Sequence, residues 1–516
     1  MSSALAGLVI AASAILVRLP TLAEPLAMDQ ALFAVIGRGL LRGDRLYVDL
    51  WDHKPPAIYL VYAALQRVFG GSAWVIALAS TAAAAATALL VRCVIARLAG
   101  ERAGFLAGLF YALIANPILL GGFYATGQAE AFMDLCVVSA LAAAAPARGP
   151  AHRPRRARRA RRAGVWLGIA ALFKPTALLW IPVAWLVARR DSDGGAPARL
   201  RSLAMLMLAG VAVPLLVALL GLAATGALGA AADAIVGWNA AALRGTASAA
   251  GASRDAGIGA ILGSPRAVAS LLFDGIIRLG PFLLFAAIGA VAALGARGRA
   301  IPLVWLATAI VAAIVQGKFY RYQYQPLFAP VAALAALGAE RALVEAERRA
   351  APRAAAAAIA ALVALSLVPL GAAVARYWRD HRYALPFPTG AARDAFLSTY
   401  TWSDPPMRYD DAARVARRIR AASAPEERIF VLGFDPQIYL LSERAPAGRY
   451  LAHDHIRAPG AEARLVDDFD RRPPRWVVVA TDEVGPLDFA RVSDWIAARM
   501  EARETIGRFA LFERVR

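Results

Sequence analysis

The sequence has little cysteine, a deficit of acidic residues and no evident internal repeat. Its 516 residues include two cysteines, Cys93 and Cys136, and both lie inside apolar runs. A disulfide framework and a zinc site with Cys/His spacing are therefore not expected. The lack of a repeat argues against a transporter that is built from two duplicated halves.

Basic residues outnumber acidic ones by 57 to 37, which gives a formal net charge of +20. Many of the arginines lie in short stretches between apolar runs, and the densest block is Arg153–Arg162. Short basic loops mark the cytoplasmic side of a membrane protein, and they attract anionic lipid headgroups. The charge therefore predicts membrane lipids as partners and argues against nucleic acid.

Apolar residues make up 59% of the chain, and the mean hydropathy is +0.53. A soluble domain averages about 45–50% apolar residues. Because repeated runs approach the ~20 residues that cross a bilayer, we expect a polytopic all-α membrane protein with about 11–13 spans. The first run lacks a basic n-region and a clear cleavage site, which predicts a retained helix. The candidate runs are 4–20, 73–92, 103–120, 129–147, 202–223, 277–295, 301–317, 327–341 and 355–375.

The basic stretches also predict the sidedness of the chain. If they are cytoplasmic, the outward segments are 21–72, 117–128, 224–276, 317–326 and everything after 375. Residues 163–188 lie between two basic stretches, so this segment must enter and leave on one side. The Lys174-Pro175 break divides it into two short helices, and proline is tolerated in the first turn of the second. The sequence predicts a hairpin with Lys174 at its tip.

Two kinds of outer structure are expected. Residues 57–70 are too short to span and predict an amphipathic interfacial helix, with further ones in the loop 224–276. After Arg376, strand-like runs occur at 428–433, 476–480 and 509–512, and helical patterns at 410–422 and 490–503. This alternation predicts a C-terminal α/β domain at 376–516, after a transmembrane domain at 1–375. The first periplasmic loop would be 21–72.

Charged side chains are expected to converge on the outer face. Asp29 follows the first run and Glu130 begins the fourth. Carboxylates at a membrane are costly unless they work or are paired. Cations and aromatic residues occupy the same predicted layer, namely His53, Lys54, Lys174, Lys318, Arg321, Tyr322 and Tyr324. Cations stabilise phosphate and a carboxylate accepts a proton from a hydroxyl, so we expect an enzyme whose substrate phosphate is anchored by a lipid.

The order of these motifs resembles the GT-C membrane glycosyltransferases. Within them it is most similar to the bacterial branch of dolichyl-phosphate-mannose protein mannosyltransferases and aminoarabinose (lipid A) transferases. Two departures occur: Gln30 follows Asp29 where many relatives carry an acidic pair, and His53 replaces an acidic residue of the aminoarabinose branch. The stretches that carry the resemblance are Met28-Asp29, Asp49-Leu50-Trp51-Asp52-His53-Lys54-Pro55-Pro56, Glu130, Gly168–Pro175, Arg321–Pro326 and Val431–Pro436.

The resemblance implies a GT-C helical bundle in a bacterial inner membrane, with the active site and the C-terminal α/β domain periplasmic. A sugar would pass from a polyprenyl-phosphate donor to a lipid, glycan or protein acceptor by inverting displacement. Asp29 would be the general base, and Glu130 would complete the acidic cluster. No cofactor would be required. The use of a divalent metal is left open, and if one is used, Asp29, Glu130 and His53 would be its ligands. The substrate-binding residues would be Lys54, His53, Lys174, Arg321, Tyr322 and Tyr324.

Each of these residues also has a simpler interpretation. Asp29 would serve as the N-cap of a helix, and Glu130 as a first-turn residue that the helix dipole favours. Lys54 and Lys174 would snorkel to the headgroups. Arg321 stands among tyrosines that are typical of an aromatic belt.

Alternatives also exist for the whole protein. A transporter or flippase for lipid-linked saccharides would explain a basic cleft without a proton acceptor. A membrane-anchored sensor would use the spans only to hold a ligand-binding outer domain. The stretch His453-Asp454-His455 resembles a metal pair, but histidines of a loop or strand edge are commoner.

Overall fold

The computed structural model describes most of the chain. Tyr124 and Lys318 lie outside the described residues, as do most of the predicted span 355–375 and the loop 224–276 beyond residue 243, including Arg244, Arg254 and Asp255. The described residues are 2–120, 122, 125–146, 153–191, 197–243, 282–294, 300–316, 320–348, 390–402, 407–485 and 488–515, with isolated positions at 266–280 and 353–379.

The chain forms two compact units, and each is assembled from separate segments. The first comprises Met1–Leu22, Ala77–Leu219 and Ala260–Asp380. The second comprises Ala23–Ile76, Leu220–Gly259 and His381–Arg516. The first loop and part of the second large loop are therefore grouped with the C-terminal region. The predicted domain boundary between residues 375 and 376 stays a prediction.

Helices dominate the described residues up to Arg348. In chain order they are α1 (Ser3–Leu16), α2 (Met28–Leu41), α3 (Ala57–Phe69), α4 (Ala73–Ala99), α5 (Glu101–Ile114), α6 (Ala129–Ala144), α7 (Arg153–Ala171), α8 (Ile181–Ala188), α9 (Pro197–Ala224), α10 (Leu228–Ala232), α11 (Asn239–Leu243), α12 (Phe282–Leu294), α13 (Ile301–Gln316) and α14 (Gln325–Arg348). Short 3₁₀ turns lie at Leu19–Ala23, Pro117–Leu120, Pro175–Trp180, Arg189–Asp191 and Arg321–Tyr324, and a π turn at Asp233–Trp238.

Several of these helices suit a bilayer. Within the described residues, three are long and apolar enough to cross it: Ala73–Ala99, Leu200–Ala224 and Arg321–Arg348. Shorter apolar helices include Ser3–Leu16, Phe282–Leu294 and Ile301–Gln316. The prediction of a mainly helical membrane protein is confirmed, while the number of spans stays a prediction.

Glycine allows two helices of the first unit to approach closely. A Cβ on Gly289 of α12 would collide with the carbonyl oxygen of Leu334 in α14, and one on Gly338 would collide with that of Phe285. Lipid tails are as apolar as leucine, so helices in a bilayer associate through backbone contact at small residues rather than through hydrophobic burial. Gly289 and Gly338 thus set the spacing of α12 and α14.

The basic block and the following hairpin differ in part from expectation. Residues Arg153–Arg162 form the first half of α7 rather than a loop, because alanine and arginine are among the strongest helix formers. The helix ends at Ala171, Pro175 begins the 3₁₀ turn, and α8 packs back on α7. The chain therefore reverses at Lys174, as the sequence predicts.

The C-terminal segment of the second unit forms an α/β sheet of order β4-β3-β5-β7-β6. Strand β3 pairs in parallel with β4 and β5, and β7 pairs antiparallel with β5 and β6. A short hairpin, β1 (Thr401–Trp402) and β2 (Met407–Arg408), precedes it. The strands are β3 (Arg428–Leu432), β4 (Ala445–Pro446), β5 (Trp476–Ala480), β6 (Met500–Ile506) and β7 (Phe509–Arg514), and the helices are α15 (Gly390–Ser398), α16 (Tyr409–Ala421), α17 (Gln437–Ser442), α18 (His453–Ile456), α19 (Ala461–Arg471) and α20 (Ala490–Arg499).

The three strands expected from sequence are present, but one predicted helix is too long. Helix α20 ends at Arg499, and residues 500–506 form the edge strand β6. Gly507, with φ +57°, turns the chain into β7. The run Met500–Glu504 reads as helical because its residues favour helices, but pairing with strand β7 overrides that propensity. Its outward charged side chains are typical of an edge strand.

Candidate active site

Asp29 lies in the first turn of α2, in the second unit. The N-cap position is Ala27, so Asp29 does not cap the helix. The residue before it, Met28, has a left-handed φ of +47°. Such a conformation is costly for a non-glycine residue and occurs preferentially at functional sites. The local backbone thus places a carboxylate at the positive end of a helix dipole, with 17% of its side chain exposed.

Lys54 meets Asp29 from the end of the first loop. Its Nζ lies 3.5 Å from Oδ1 of Asp29 and 3.7 Å from Oδ2 of Asp52. The ammonium also lies 4.9 Å from the ring centroid of Phe33. The backbone is fixed too, because the Tyr47 hydroxyl donates a 2.8 Å hydrogen bond to the Lys54 carbonyl. Lys54 is therefore held between two carboxylates, with 12% of its side chain exposed.

Asp52 is a site residue that the sequence interpretation did not select. It is fully buried, and its Oδ2 accepts a 2.6 Å hydrogen bond from the Tyr59 hydroxyl. Its Oδ1 accepts a 2.7 Å bond from the backbone N–H of His53. Burial raises the pKa of Asp52, but the charges of Lys54 and His53 outweigh burial and hold that pKa well below its usual range. Its position directly before His-Lys-Pro-Pro was the available signal.

Aromatic rings enclose this group of charges. His53 stacks on Trp238 at 4.4 Å between ring centroids, and Trp51 contacts His455 edge-on at 4.7 Å. Nε2 of His455 lies 3.6 Å from Oδ1 of Asp52. Burial lowers the pKa of His455 to about 3, with the charges of His53 and Lys54 adding to burial and Asp52 opposing it. Three distant segments thus converge here. The stretch His453-Asp454-His455 suggested a metal pair from sequence, but not that His455 lies beside Asp52 and His53.

The same group fits a divalent cation. Ligand atoms of Asp52, His53 and His455 lie within 4.8 Å of one another. Imidazole and carboxylate are ligands that zinc and other first-row divalent metals accept. These three residues would hold such an ion through one carboxylate and two imidazoles. Of the three metal ligands expected from sequence, this group contains His53. It contains neither Asp29 nor Glu130 among the described residues.

A second group of predicted residues comes together within the first unit. Glu130 lies in the first turn of α6 and is fully buried. The Lys174 ammonium donates to the Glu130 carboxylate, and also to the Gln316 side-chain oxygen at 2.5 Å. It lies 5.9 Å from the ring centroid of Tyr322. Lys174 therefore serves as the counter-ion of Glu130 rather than as a snorkelling lysine.

The other predicted residues of this unit lie in the turn before α14. Arg321 is exposed, Tyr324 is buried, and Tyr322 stacks on Tyr320 at 5.7 Å. The structure thus brings Tyr322 to Lys174 and leaves Arg321 open to the surroundings. Gln316, at the end of α13, was missed because an amide at a helix end carries no functional signal of its own.

The architecture defines a class of membrane protein. Apolar helices precede a C-terminal α/β sheet, and the comparison with solved structures identifies this arrangement as the GT-C type of fold, which matches the predicted fold class. A family model described as dolichyl-phosphate-mannose-protein mannosyltransferase matches residues 53–229. A sequence comparison with curated proteins returns no match.

Solved structures show the same architecture over the whole chain. ArnT from Cupriavidus metallidurans bound to undecaprenyl phosphate aligns with a TM-score of 0.61 at 15% identity, covering 100% of this chain and 99% of that one. The oligosaccharyltransferase AglB from Archaeoglobus fulgidus, in complex with an inhibitory peptide and a dolichol-phosphate, aligns with a TM-score of 0.50 at 14% identity, covering 91% and 69%. At these identities the likeness establishes the fold. The predicted resemblance to GT-C glycosyltransferases is confirmed.

Proposed function

We propose that this protein is a membrane glycosyltransferase that moves a sugar from a polyprenyl-phosphate donor to an acceptor hydroxyl or phosphate. The family match and the fold support a transferase of this class. The two matched structures contain undecaprenyl phosphate and dolichol-phosphate, which supports a lipid phosphate as the carrier. The acceptor would be a lipid, a glycan or a protein.

The observation that carries the proposal is the contact between Asp29 and Lys54. A carboxylate at 3.5 Å from an ammonium supplies a proton acceptor beside a phosphate-binding cation. Asp29 would take the proton from the acceptor hydroxyl as the oxygen attacks the sugar C1. Lys54 would stabilise the charge that develops on the departing polyprenyl phosphate. Attack opposite the leaving group would invert the configuration at C1.

Within the first unit, Glu130, held by Lys174, would orient the acceptor, and Tyr322 would pack against the lipid or sugar. Arg321, which is exposed, would reach the phosphate of an incoming donor. His53 and Tyr324 would complete the substrate-binding residues. We place the site on the periplasmic face of a bacterial inner membrane, because the basic stretches fix the opposite face as cytoplasmic.

The chemical test begins by identifying the transferred group. Mass spectrometry of envelope lipids, glycans and proteins from cells with and without this protein should show a difference of one sugar residue. That difference would define both donor and acceptor. Cells that show no such difference, but whose membranes lose translocation of lipid-linked saccharide, would instead identify a flippase.

Substitution of Asp29 then tests the mechanism. Asp29→Asn in proteoliposomes should retain donor binding and lose transfer of labelled sugar by about 10²–10⁴-fold, the usual contribution of a general base. Asp44→Asn is the matched control, since Asp44 pairs with the exposed Arg42 at 3.0 Å. Near-normal transfer by Asp29→Asn would refute Asp29 as the base.

A further inference from the structure

The buried carboxylate of Asp52 has no contact with solvent, so it acts only through its neighbours. Its exposed fraction is 0%. An ionised carboxylate in such a place must be paired or hydrogen-bonded, because desolvation of a charge is expensive. The cation nearest to its Oδ2 is the Lys54 ammonium, at 3.7 Å. Asp52 therefore pairs with the same ammonium that contacts Asp29.

Both oxygens of Asp52 are held in place. Oδ2 accepts from the Tyr59 hydroxyl, and Oδ1 accepts from the backbone N–H of His53. Nδ1 of His53 lies 2.9 Å from Oδ1, and Nε2 of His455 lies 3.6 Å from the same oxygen. A carboxylate fixed on all sides is a rigid partner, whereas Asp29 is partly exposed at a helix end. Asp52 therefore restrains the Lys54 ammonium from a fixed point, opposite the more exposed carboxylate of Asp29.

The C-terminal segment secures the loop that carries Asp52. The backbone N–H of Trp51 donates a 2.9 Å hydrogen bond to the Arg449 carbonyl, and Trp51 forms a parallel bridge with Tyr450. The Arg449 guanidinium in turn donates two bonds, of 2.7 and 2.8 Å, to the buried carboxylate of Asp468, and the Arg449 backbone N–H donates a third at 3.1 Å. Residues 449–455 thus supply both a backbone anchor and the His455 contact to the first loop.

We infer that Asp52 is a positioning residue of the phosphate site, which holds the Lys54 ammonium away from full pairing with Asp29, and that His455 of the C-terminal segment packs against Asp52 from the other side. This inference rests on the proposed function. Without Asp52, Lys54 would close onto Asp29, which would neutralise the base and withdraw the cation from the phosphate. The C-terminal segment is then part of the phosphate site.

The test compares binding of undecaprenyl monophosphate with binding of undecaprenol, which lacks the phosphate. The full-length protein is used in detergent with EDTA present, so that a divalent cation does not contribute. The dissociation constant of undecaprenol divided by that of undecaprenyl monophosphate reports the phosphate contact alone. This quotient is called the ratio below. Lys54→Met should reduce the ratio by about tenfold or more, because it removes a charge-assisted contact. Asp52→Asn should reduce it by a similar factor.

A double substitution separates positioning from an independent effect. If Asp52 acts through Lys54, adding Asp52→Asn to Lys54→Met should change the ratio by less than about twofold, because residues that act through one contact are not additive. Asp49→Asn is the matched control in the same loop, where Asp49 makes a partly exposed ion pair with Arg45 at 3.0 Å. Such pairs contribute little, so the ratio should stay unchanged.

Milder variants keep the test informative if Asp52→Asn does not fold. Tyr59→Phe removes only the hydroxyl that holds Oδ2, and His455→Gln removes the contact to Oδ1. Tyr59→Phe should lower the ratio by about two- to fivefold, the effect of a lost neutral hydrogen bond, and His455→Gln, whose imidazole only packs at 3.6 Å from Oδ1, should lower it by less. The inference is overturned if these variants, folded by thermal melting, keep the wild-type ratio, or if the effects of Asp52 and Lys54 are additive. A wild type that binds both lipids equally would instead refute the proposed function.

Discussion

The ammonium of Lys54 lies 3.5 Å from the carboxylate of Asp29. Asp29 is in the first turn of α2, whereas Lys54 is near the end of the first loop. Such a distance allows attraction without a tight hydrogen bond, so an anion can compete for the cation. A second carboxylate at 3.7 Å, that of Asp52, shares the same charge. An ammonium that two carboxylates share in this way can bind an incoming anion.

Substitution of Lys54 should reduce sugar transfer more than it reduces stability. Lys54→Met should lower kcat/KM by about 10²–10³-fold, because a preorganised charge opposite the leaving phosphate is lost. Lys54→Arg retains the charge and should recover part of the rate. Transfer of labelled sugar from the donor identified by mass spectrometry would be the measurement. Equal rates for wild type and Lys54→Met would contradict the assignment.

Removal of one partner of the Glu130–Lys174 pair should destabilise the protein more than removal of both. Glu130 is fully buried, and an unpaired buried charge costs about 3–5 kcal/mol. Lys174→Met alone should therefore lower the melting temperature in detergent more than the Glu130→Gln/Lys174→Met double variant does. Arg321→Gln, at an exposed position in the same unit, serves as the control. Equal melting of the single and double variants would argue against a buried ion pair.

A methyl group between α12 and α14 should disrupt the helix bundle. Gly289→Ala places a Cβ against the backbone oxygen of Leu334, and overpacking of this kind costs about 1–3 kcal/mol. Gly221→Ala is the matched control, since a Cβ there meets nothing within 4 Å. Thermal melting in detergent should show a lower midpoint for Gly289→Ala alone. An unchanged midpoint would mean that the two helices can separate without loss.

Asp435 should make the protein less stable as the pH rises. Burial raises the pKa of Asp435 to about 7, with Arg508 opposing this and Glu483 adding to it. The unfolded value is about 3.9, so between these values the folded chain keeps a proton that the unfolded chain has lost. Stability from this group is complete below about pH 4 and declines as the pH rises through 7.

The measurement is the difference in melting temperature between wild type and Asp435→Asn at pH 5 and at pH 8. Asp435→Asn should flatten the pH dependence, because its amide does not titrate. Asp482→Asn is the control, since Asp482 pairs with the same Arg508 at 2.7 Å but is more exposed. A parallel pH dependence in wild type and Asp435→Asn would contradict the raised pKa.

Much of the fold was predictable because it depends on local periodicity. The strands at 428–432 and 476–480 and the helices at 57–69 and 409–421 follow patterns that neighbouring residues create. The strand at 500–506 was not predictable, because its residues favour a helix and its pairing with β7 arises only after the chain folds back. The basic block Arg153–Arg162 shows the opposite case. It was expected to be a loop between spans, but its strong helix propensity makes it part of α7.

The sequence by itself determined the class of protein, since apolar length, basic spacing and the motif around Lys54 are properties of short segments. It also singled out Asp29 and Lys54 as candidates, because charged residues in apolar surroundings are rare and therefore conspicuous. Only the tertiary structure decided that Asp52 and His455 lie beside them, and that Lys174 pairs with Glu130. Contacts between distant segments depend on how the chain folds back on itself, which no local pattern records.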